Sequence, residues 1–372
     1  MVLALYRKYR PKKLEELIGQ ETTAEIIKNA AASSKIGHAY LFYGPRGTGK
    51  TTTARLIAKL LNCEKRNADS KFREKGEVCG ECNACREIDL NSSFDVIEID
   101  AASNRGIDEI RNLKDSIKTA PVKGKCKVYI IDEVHMLTGP AFNALLKTLE
   151  EPPAHACLIL ATTEYEKLPL TITSRTQRFI FKKAAKIKII EKLTAIAKAE
   201  KIEITGDALE LIAAVGDGSF RDAESLLDQV GSINSKIELQ TIETLTGRTG
   251  LKKVKELSEL ILKNNLKESL KYLNEINEEG INFVQLTKDL IHYLRKILSL
   301  KTNPSLEKFF SGELTAEEIE QIKALTNLAD TEKLVKLIKA FIIAYSEIRY
   351  SPFAIVPLEV ALIENLNETS LA

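Results

Sequence analysis

The chain of 372 residues contains no tryptophan, and aromatic residues make up only 6% of it. This scarcity argues against the stacking of bases on aromatic side chains as the main mode of nucleic-acid recognition. Positive and negative charges nearly cancel, at a net charge of +2, so no field of the whole chain points to nucleic acid. Binding to DNA would therefore require a local patch or assembly into a larger body.

Long apolar runs are also missing. No segment approaches 18 consecutive apolar residues, which excludes a membrane span, and the apolar run at the N-terminus is too short for a signal peptide. We therefore expect a cytoplasmic protein, whose six cysteines are reduced or bound to metal rather than disulfide-bonded. With 44% hydrophobic and 28% charged residues, a chain of this length should form two or three ordinary globular domains.

The stretch that organises the chain is GPRGTGKT, at residues 44–51. The pattern G-x-x-x-x-G-K-[ST], between a short apolar run and a helix-forming run, is typical of a P-loop that surrounds phosphate oxygens with backbone N–H groups. Lys50 supplies a charge for the β- and γ-phosphates, and Thr51 offers a hydroxyl to Mg²⁺. The predicted nucleotide-binding residues of this loop are Gly44, Pro45, Arg46, Gly47, Thr48, Gly49, Lys50, Thr51 and Thr52.

A basic and aromatic arm, Tyr6-Arg-Lys-Tyr-Arg-Pro11, precedes the P-loop. A charged arm in solvent is one interpretation of such a sequence. Its position ahead of a P-loop favours the other, a segment that contacts adenine through Tyr9 and Arg10.

Five apolar runs alternate with helical stretches in residues 1–180, which predicts a parallel sheet covered on both faces. The predicted strands are Tyr40–Tyr43, Val96–Ile99, Val128–Ile131, Leu158–Ala161 and Phe179–Phe181. Ligands of such sheets bind beyond the carboxyl ends of the strands, where the P-loop lies.

Polar residues follow two of these strands. Asp132 and Glu133 end the third, as a Walker B element in which Asp132 orients Mg²⁺ and Glu133 accepts a proton from the attacking water. Thr162 and Thr163 end the fourth, where a polar residue can hold that water or the γ-phosphate. We favour Thr163, although either threonine is equally suited to capping a turn.

Arg175 closes the segment Thr171-Ile-Thr-Ser-Arg175. An arginine that completes the nucleotide site of a neighbouring subunit is an arginine finger, which stabilises charge in the transition state. A surface arginine is the alternative, and nothing within the segment excludes it.

Four cysteines have the spacing of metal ligands. Cys79, Cys82 and Cys85 form C-x-x-C-x-x-C, and Cys63 can supply a fourth thiolate. Four thiolates make a closed tetrahedral Zn²⁺ site, which is structural because no position remains for water. An iron–sulfur cluster is the competing occupant. The remaining two cysteines, Cys126 and Cys157, flank strands and are expected to be small buried hydrophobes.

The chain resembles the AAA+ clamp-loader ATPases and, among them, the gamma/tau family of bacterial DNA polymerase III subunits. The resemblance rests on motifs that occur in one order: GPRGTGKT, the cysteine insert at 63–85, YIIDEVHML, LATT, TSRTQRF and GSFRDAESLLDQ. It implies that Arg175 is a finger acting in trans, and that Arg221 is the sensor-2 arginine touching the γ-phosphate in cis. The family usually has cysteine where this chain has Thr176.

The expected architecture is α/β plus all-α, in three domains. Residues 1–180 form an AAA+ P-loop domain with a parallel five-stranded sheet and a zinc insert at 63–85. Residues 181–245 form a small helical lid, in which a break at Gly216-Asp-Gly-Ser219 places Arg221 in the first turn of a helix. Residues 246–372 carry helical spacing and no visible chemistry; the resemblance makes them the collar through which subunits assemble. The longer tau form of the family has further C-terminal domains, so the chain resembles either the gamma form or a truncated chain.

The implied activity is hydrolysis of ATP to ADP and phosphate, with Mg²⁺ and Zn²⁺ as the metals, by a subunit without polymerase chemistry of its own. The implied partners are the delta and delta-prime subunits, further copies of the chain, the beta sliding clamp and primed-template DNA at replication forks, with no membrane. Two alternatives remain: another AAA+ motor acting on DNA, and a structural subunit that binds nucleotide without turnover. An intact Glu133 argues against the second.

Overall fold

A computed structural model describes residues 3–232, 236–246, 251–310, 316–328 and 330–366. The chain divides into two compact units. The first comprises residues 1–184 together with 218–222, and the second comprises 185–217 and 223–372. Among the described residues, no helix combines the length and the apolar character that crossing a bilayer requires.

The first unit is built on a five-stranded sheet in which every pairing is parallel, in the order β2-β3-β4-β1-β5. The predicted parallel five-stranded sheet is thus confirmed, with strand ends that differ by one or two residues. The strands are β1 Ala39–Tyr43, β2 Val96–Asp100, β3 Lys127–Asp132, β4 Ala156–Thr162 and β5 Gln177–Ile180.

Helices lie against both faces of this sheet, because successive side chains of a strand point to opposite sides. On β1, Tyr40 and Phe42 belong to one buried cluster and Ala39 and Leu41 to the other. The helices of this unit are α1 Leu5–Lys8, α2 Glu21–Ala32, α3 Lys50–Asn62, α4 Glu64–Ala68, α5 Ser70–Arg73, α6 Asn83–Asp89, α7 Ile107–Ile117, α8 Gly139–Glu150 and α9 Leu170–Thr173. The first cluster includes residues of α2, α3 and α6, and the second residues of α7 and α8.

Short 3₁₀ turns complete the connections of the first unit. They span Leu14–Glu16, Val134–Met136 and Tyr165–Lys167. The second of these directly follows Glu133 at the end of β3, and the third follows the end of β4. Both therefore shape the edge of the sheet at which the strands end.

Within the residues that the structure describes, the second unit is helical, as the apolar spacing predicts, apart from one isolated bridge between Ile204 and Ile237. Its helices are α10 Lys186–Glu200, α11 Gly206–Val215, α12 Phe220–Gly231, α13 Leu239–Thr246, α14 Leu251–Leu262, α15 Leu266–Glu278, α16 Phe283–Thr302, α17 Glu307–Phe310, α18 Ala316–Leu325, α19 Thr331–Ile348 and α20 Val356–Leu366. A 3₁₀ turn at Pro304–Leu306 joins α16 to α17, and the first turn of α12 belongs to the first unit. One apolar core extends from Val254 to Leu366.

Truncation of a core residue of β4 tests the burial that holds the sheet. Leu160 is fully buried, so Leu160→Ala should lower the free energy of unfolding by about 2–5 kcal/mol through lost transfer energy and the cavity left behind. Val122, which is 68% exposed, is the matched control. Val122→Ala should change the free energy of unfolding by less than about 0.5 kcal/mol. Urea unfolding followed by circular dichroism measures both. Equal effects of the two variants would contradict the packing described.

Candidate nucleotide site and cysteine cluster

Three glycines of the loop between β1 and α3 have positive φ angles, and at two of them a side chain would also collide with neighbouring atoms. Gly44 and Gly47 have positive φ angles of +143° and +72°. A Cβ on Gly44 would lie 2.1 Å from the carbonyl oxygen of Phe181, and one on Gly47 would lie 1.8 Å from Ser219 Oγ. The loop is therefore closely packed from two sides, while its N–H groups and the start of α3 form the type of surface that binds phosphate.

Lys50 is the first residue of α3, and its side chain folds back over the loop. Its ammonium donates hydrogen bonds to the carbonyl oxygens of Gly44 at 2.7 Å and Pro45 at 2.8 Å. Burial lowers the pKa of Lys50, while the charges of Glu133 and Asp132 act in the opposite direction. The residue thus places a positive charge inside a loop of phosphate-binding shape.

Thr51 and Asp132, the two predicted magnesium ligands, are brought together from α3 and the end of β3. Thr51 Oγ1 donates to Asp132 Oδ2 at 2.9 Å. Adjacent oxygen ligands of an octahedral Mg²⁺ lie about 2.9 Å apart when each metal–oxygen bond is ~2.1 Å long. The spacing of these two oxygens therefore fits that ion.

Glu133 and Thr163, predicted from separate strands, are in direct contact. Glu133 Oε2 accepts hydrogen bonds from Thr163 N at 3.2 Å and from Thr163 Oγ1 at 3.0 Å. Glu133 has a left-handed backbone, at φ +47° and ψ +44°, which is uncommon for a residue with a side chain and occurs at functional sites. Thr162, the other candidate, is fully buried and contacts different residues.

His135 is a residue of this site that the sequence analysis missed. Its ring is 6% exposed, with Nδ1 2.9 Å from Thr162 Oγ1 and Nε2 3.1 Å from Glu164 Oε1. The available signal was its position, two residues after Glu133 in a chain with only four histidines.

Gln20 was also missed. Its amide is buried and donates to the carbonyl oxygens of Lys182 at 2.8 Å and Thr48 at 3.4 Å, so it joins the P-loop to the chain that follows β5. A glutamine just before α2 has no pattern that distinguishes it from a solvent-exposed one, and only the tertiary contacts reveal it.

The N-terminal arm and Arg221 meet near the P-loop. The guanidinium of Arg221 lies 5.0 Å from the centre of the Tyr6 ring, and Arg7 Nε donates to Tyr6 Oη at 3.0 Å. The hydrogen bond from Arg7 is the main cause of a lowered pKa of Tyr6, to which Arg221 also contributes. Tyr9, predicted beside the adenine, lies under Lys8, whose Nζ is 5.7 Å from its ring centre.

Arginine side chains make this region electropositive. The pKa of Arg10 is lowered, first by burial and then by the charge of Arg55 and, to a smaller extent, of Arg221 and Arg7. Arg55 itself pairs with Glu98 on β2, with Nη2 2.6 Å from Oε2. Neighbouring cations disfavour one another's charged forms. A cluster of this kind is suited to binding a polyanion, whose negative charge would offset the repulsion.

Arg175 follows α9, and its partners are residues of α8 and of its own segment. Its Nε donates to Glu150 Oε1 at 2.7 Å, and its Nη1 to the carbonyl oxygen of Thr171 at 2.8 Å. The side chain of Arg175 is 35% exposed. Thr176, where the family usually has cysteine, donates to the carbonyl oxygen of Ile172 at 3.3 Å, a bond that supports the end of the helix.

The four predicted cysteines converge at one point. Their Sγ atoms all lie within 4.8 Å of one another, with Cys63 and Cys79 3.5 Å apart and Cys79 and Cys85 3.9 Å apart. Thiolates bound to tetrahedral zinc at ~2.3 Å lie about 3.8 Å from each other, so the cluster fits this metal. Cys63 follows α3, Cys85 lies in α6, and both are fully buried.

Hydrogen bonds within the cluster favour the thiolate of Cys63, while the pKa of Cys85 is raised chiefly by the hydrogen bond it donates to Cys63 and that of Cys79 chiefly by burial. Cys79 Sγ accepts hydrogen bonds from the backbone N–H groups of Cys82 at 3.4 Å and Glu81 at 3.5 Å. The pKa of Cys63 is lowered, chiefly because it accepts a hydrogen bond from the thiol of Cys85. The other two cysteines, Cys126 and Cys157, are buried and reduced, as predicted.

Three family models match successive parts of the chain. The model of the DNA polymerase III delta subunit matches residues 19–185, and that of the ATPase lid domain of the DNA polymerase III clamp loader subunit matches 188–233. The model of domain III of the DNA polymerase III gamma and tau subunits matches 237–372.

Two relatives are themselves DNA polymerase III subunits, in agreement with these models. DNA polymerase III subunit tau of Bacillus subtilis is 42% identical over 363 residues, which are 97% of this chain and 62% of that one. The chain thus spans less than two thirds of that relative. Subunit gamma of Buchnera aphidicola (Schizaphis graminum) is 35% identical over 98% of both chains. The RuvB Holliday junction branch migration motor of Thermotoga maritima has a TM-score of 0.46 at 20% identity, covering 73% of this chain and 86% of that one.

The packing of Ser219 on Gly47 can be tested by a paired substitution. Gly47→Ala should destabilise the loop, because its Cβ would overlap Ser219 Oγ as well as strain a positive φ. Gly49→Ala is the matched control: its φ is +102°, but a Cβ there would meet nothing within 4 Å.

We expect Gly47→Ala to lower the midpoint of thermal unfolding more than Gly49→Ala does. Adding Ser219→Gly to Gly47→Ala should restore part of the loss, since it removes the overlapping atoms. A double variant no more stable than Gly47→Ala would show that the contact does not limit this position.

Proposed function

The chain belongs to the DNA polymerase III gamma/tau family, and from this premise we propose that it is an ATP-hydrolysing subunit of a clamp loader. In this role it opens a ring-shaped sliding clamp and places it on primed DNA during replication. The observation that carries the ATPase part is the convergence of Lys50, the Thr51–Asp132 pair and Glu133 at one edge of the sheet.

Each of these residues at the edge of the sheet has a role in the proposed ATP hydrolysis. The P-loop N–H groups and Lys50 hold the β- and γ-phosphates, and Thr51 with Asp132 holds the metal. A bound Mg²⁺ would neutralise charge on the β- and γ-phosphate oxygens. Glu133 takes the proton of the attacking water, and Thr163 keeps its carboxylate in place. Arg221, in the first turn of α12, contacts the γ-phosphate of the ATP that is bound to its own chain.

Arg175 completes the site of a neighbouring copy. Its ion pair with Glu150 is partly exposed on both sides, at 35% and 47%, and pairs of this kind contribute little to stability. The guanidinium can therefore leave Glu150 for the γ-phosphate of an adjacent subunit at small cost. Turnover is then coupled to assembly, because an isolated chain lacks the finger of its neighbour.

The three-domain division of the sequence analysis remains our proposal: an ATPase domain at 1–180, a lid at 181–245 and a collar at 246–372. It is supported by the three family models, whose matches change near the same residues. ATP bound between subunits favours an assembly with delta, delta-prime and further copies of the chain that holds the beta clamp open. Primed DNA inside the assembly, at cytoplasmic replication forks, triggers hydrolysis and release.

Steady-state ATP hydrolysis by the chain mixed with delta, delta-prime and clamp, with and without primed-template DNA, tests this function. Primed DNA should stimulate turnover, and Arg175→Ala should remove the stimulation, since an arginine finger supplies about 10³-fold or more in rate. Arg178→Ala, an exposed arginine on β5 that bonds Tyr165, is the matched control and should retain it. Turnover that responds to neither DNA nor clamp would indicate a different AAA+ motor.

Mixing two inactive variants separates action in trans from action in cis. Chains with Glu133→Gln keep Arg175, and chains with Arg175→Ala keep Glu133. If the finger acts on the neighbouring subunit, mixed assemblies contain some complete sites and regain part of the turnover. Mixtures as inactive as either variant would place Arg175 in the site of its own chain.

We infer further that the four cysteines bind a structural zinc ion. The support is the fit of the Sγ spacings to tetrahedral coordination and the full use of four ligands, which leaves no place for water. The metal would tie the end of α3 to α6 and so hold the insert 63–85 against the ATPase domain.

Protein denatured in metal-free buffer should release about one equivalent of zinc. Cys82→Ser should release far less, whereas Cys126→Ala, which removes a buried thiol outside the cluster, should release as much as the wild type. Iron together with visible absorbance would instead identify an iron–sulfur cluster. Absence of both metals would contradict a metal site.

A further inference from the structure

His135 joins the ends of two strands. It lies in the 3₁₀ turn Val134–Met136, directly after Glu133 and the end of β3. Its Nδ1 is 2.9 Å from Thr162 Oγ1, and its Nε2 is 3.1 Å from Glu164 Oε1. Because Thr162 is the last residue of β4, the ring of His135 connects the 3₁₀ turn that follows β3 with the end of β4.

Two residues at the end of β4 flank the ring of His135. The carboxylate of Glu164 approaches Nε2, with Oε1 3.1 Å away, and a hydrogen bond from Lys167 is the main cause of its lowered pKa. Thr162 Oγ1 already accepts a hydrogen bond from the backbone N–H of Glu164 at 3.0 Å. The imidazole thus closes a small network at the end of β4.

The same network reaches Glu133. Its Oε2 accepts both hydrogen bonds from Thr163, the residue next to Thr162, and lies 3.4 Å from His135 Nδ1. At that distance the ring contacts the oxygen without a regular hydrogen bond. All three contacts involve Oε2, so they leave Oε1 to face the attacking water in the function proposed above.

We propose that His135 is a positioning residue for Glu133. By holding Thr162 and Glu164 it sets the end of β4, so that Thr163 presents its N–H and O–H together to Glu133 Oε2. Its buried ring also closes one side of that oxygen and keeps the carboxylate from turning away. This proposal rests on the ATPase function proposed above, in which Glu133 is the base.

Loss of His135 should act on the chemical step and leave nucleotide binding intact. The groups that hold the nucleotide and metal, Lys50, Thr51 and Asp132, make their hydrogen bonds without it. Glu133 would remain present but imprecisely held, and general-base catalysis is sensitive to such misplacement. A purely structural histidine would instead affect stability and binding together.

The experiment compares His135→Ala, His135→Asn and His135→Gln in the assembled complex with primed DNA. Asparagine keeps a polar atom near the position of Nδ1, and glutamine keeps one near Nε2. His155→Ala is the matched control, since His155 precedes β4 at its other end and contacts the carbonyl oxygen of Ile117 at 3.0 Å. Steady-state kcat and KM for ATP, binding of a fluorescent ATP analogue and thermal unfolding are measured for each.

We expect His135→Ala to lower kcat by about 10- to 100-fold, less than the ~10²- to 10⁴-fold that a general base supplies because Glu133 itself remains, with KM changed by less than about twofold. His135→Asn should recover most of kcat, because it retains the link to Thr162 beside Thr163, and His135→Gln should recover less. His155→Ala should leave kcat unchanged. If His135→Ala does not fold, the proposal is tested by the kcat values of His135→Asn and His135→Gln, of which the asparagine variant should have the higher.

An unchanged or raised kcat in His135→Ala would overturn the proposal, as would equal losses in all three variants accompanied by weaker nucleotide binding. Glu133→Gln distinguishes this result from a failure of the proposed function. If Glu133→Gln turns over ATP as fast as the wild type, Glu133 is not the base and both proposals fall. If Glu133→Gln is inactive while His135→Ala is fully active, only the role of His135 falls.

Discussion

The parallel pairing of β1 and β3 on either side of β4 is the constraint on which the rest of the site depends. Parallel strands end at the same edge, so the P-loop after β1, Asp132 at the end of β3 and Thr162 at the end of β4 must be neighbours. The backbone N–H of Gly44 donates to the carbonyl oxygen of Thr162 at 3.2 Å, which fastens the start of the loop to β4. The roles proposed for Lys50, Thr51, Asp132, Glu133 and Thr163 all use side chains placed at this edge.

Segments distant in sequence then close the P-loop from outside the sheet. Ser219 packs on Gly47, Arg221 lies over Tyr6, and Gln20 bonds to the chain after β5. Burial is the main cause of the lowered pKa of Arg10; the charges of Arg55, Arg221 and Arg7 lower it further, and that of Glu98 raises it. A bound triphosphate would offset the repulsion among these cations, which would link nucleotide binding to the arrangement of the arm and of the first turn of α12.

The cysteine cluster lies in a short insert that has few apolar side chains of its own to bury. Within 63–85, Cys63, Val78 and Cys85 are fully buried, and most of the remainder is polar or charged. The metal proposed for the four thiolates would supply stabilisation that so small an apolar core lacks. Because Cys63 directly follows α3, the insert is anchored to the same helix that begins with Lys50 and Thr51.

The sequence by itself determined the parallel sheet, the P-loop and the grouping of four cysteines, because strand periodicity, glycine spacing and ligand spacing are local patterns. It also indicated Asp132 and Glu133, since their position after a buried strand is visible in the chain. Only the tertiary structure showed that Thr163 donates hydrogen bonds to Glu133, and only it revealed His135, Gln20 and the meeting of Tyr6 with Arg221. The physical reason is that hydrogen bonds and ring contacts between strand ends depend on register and packing, which bring together residues that no local pattern connects.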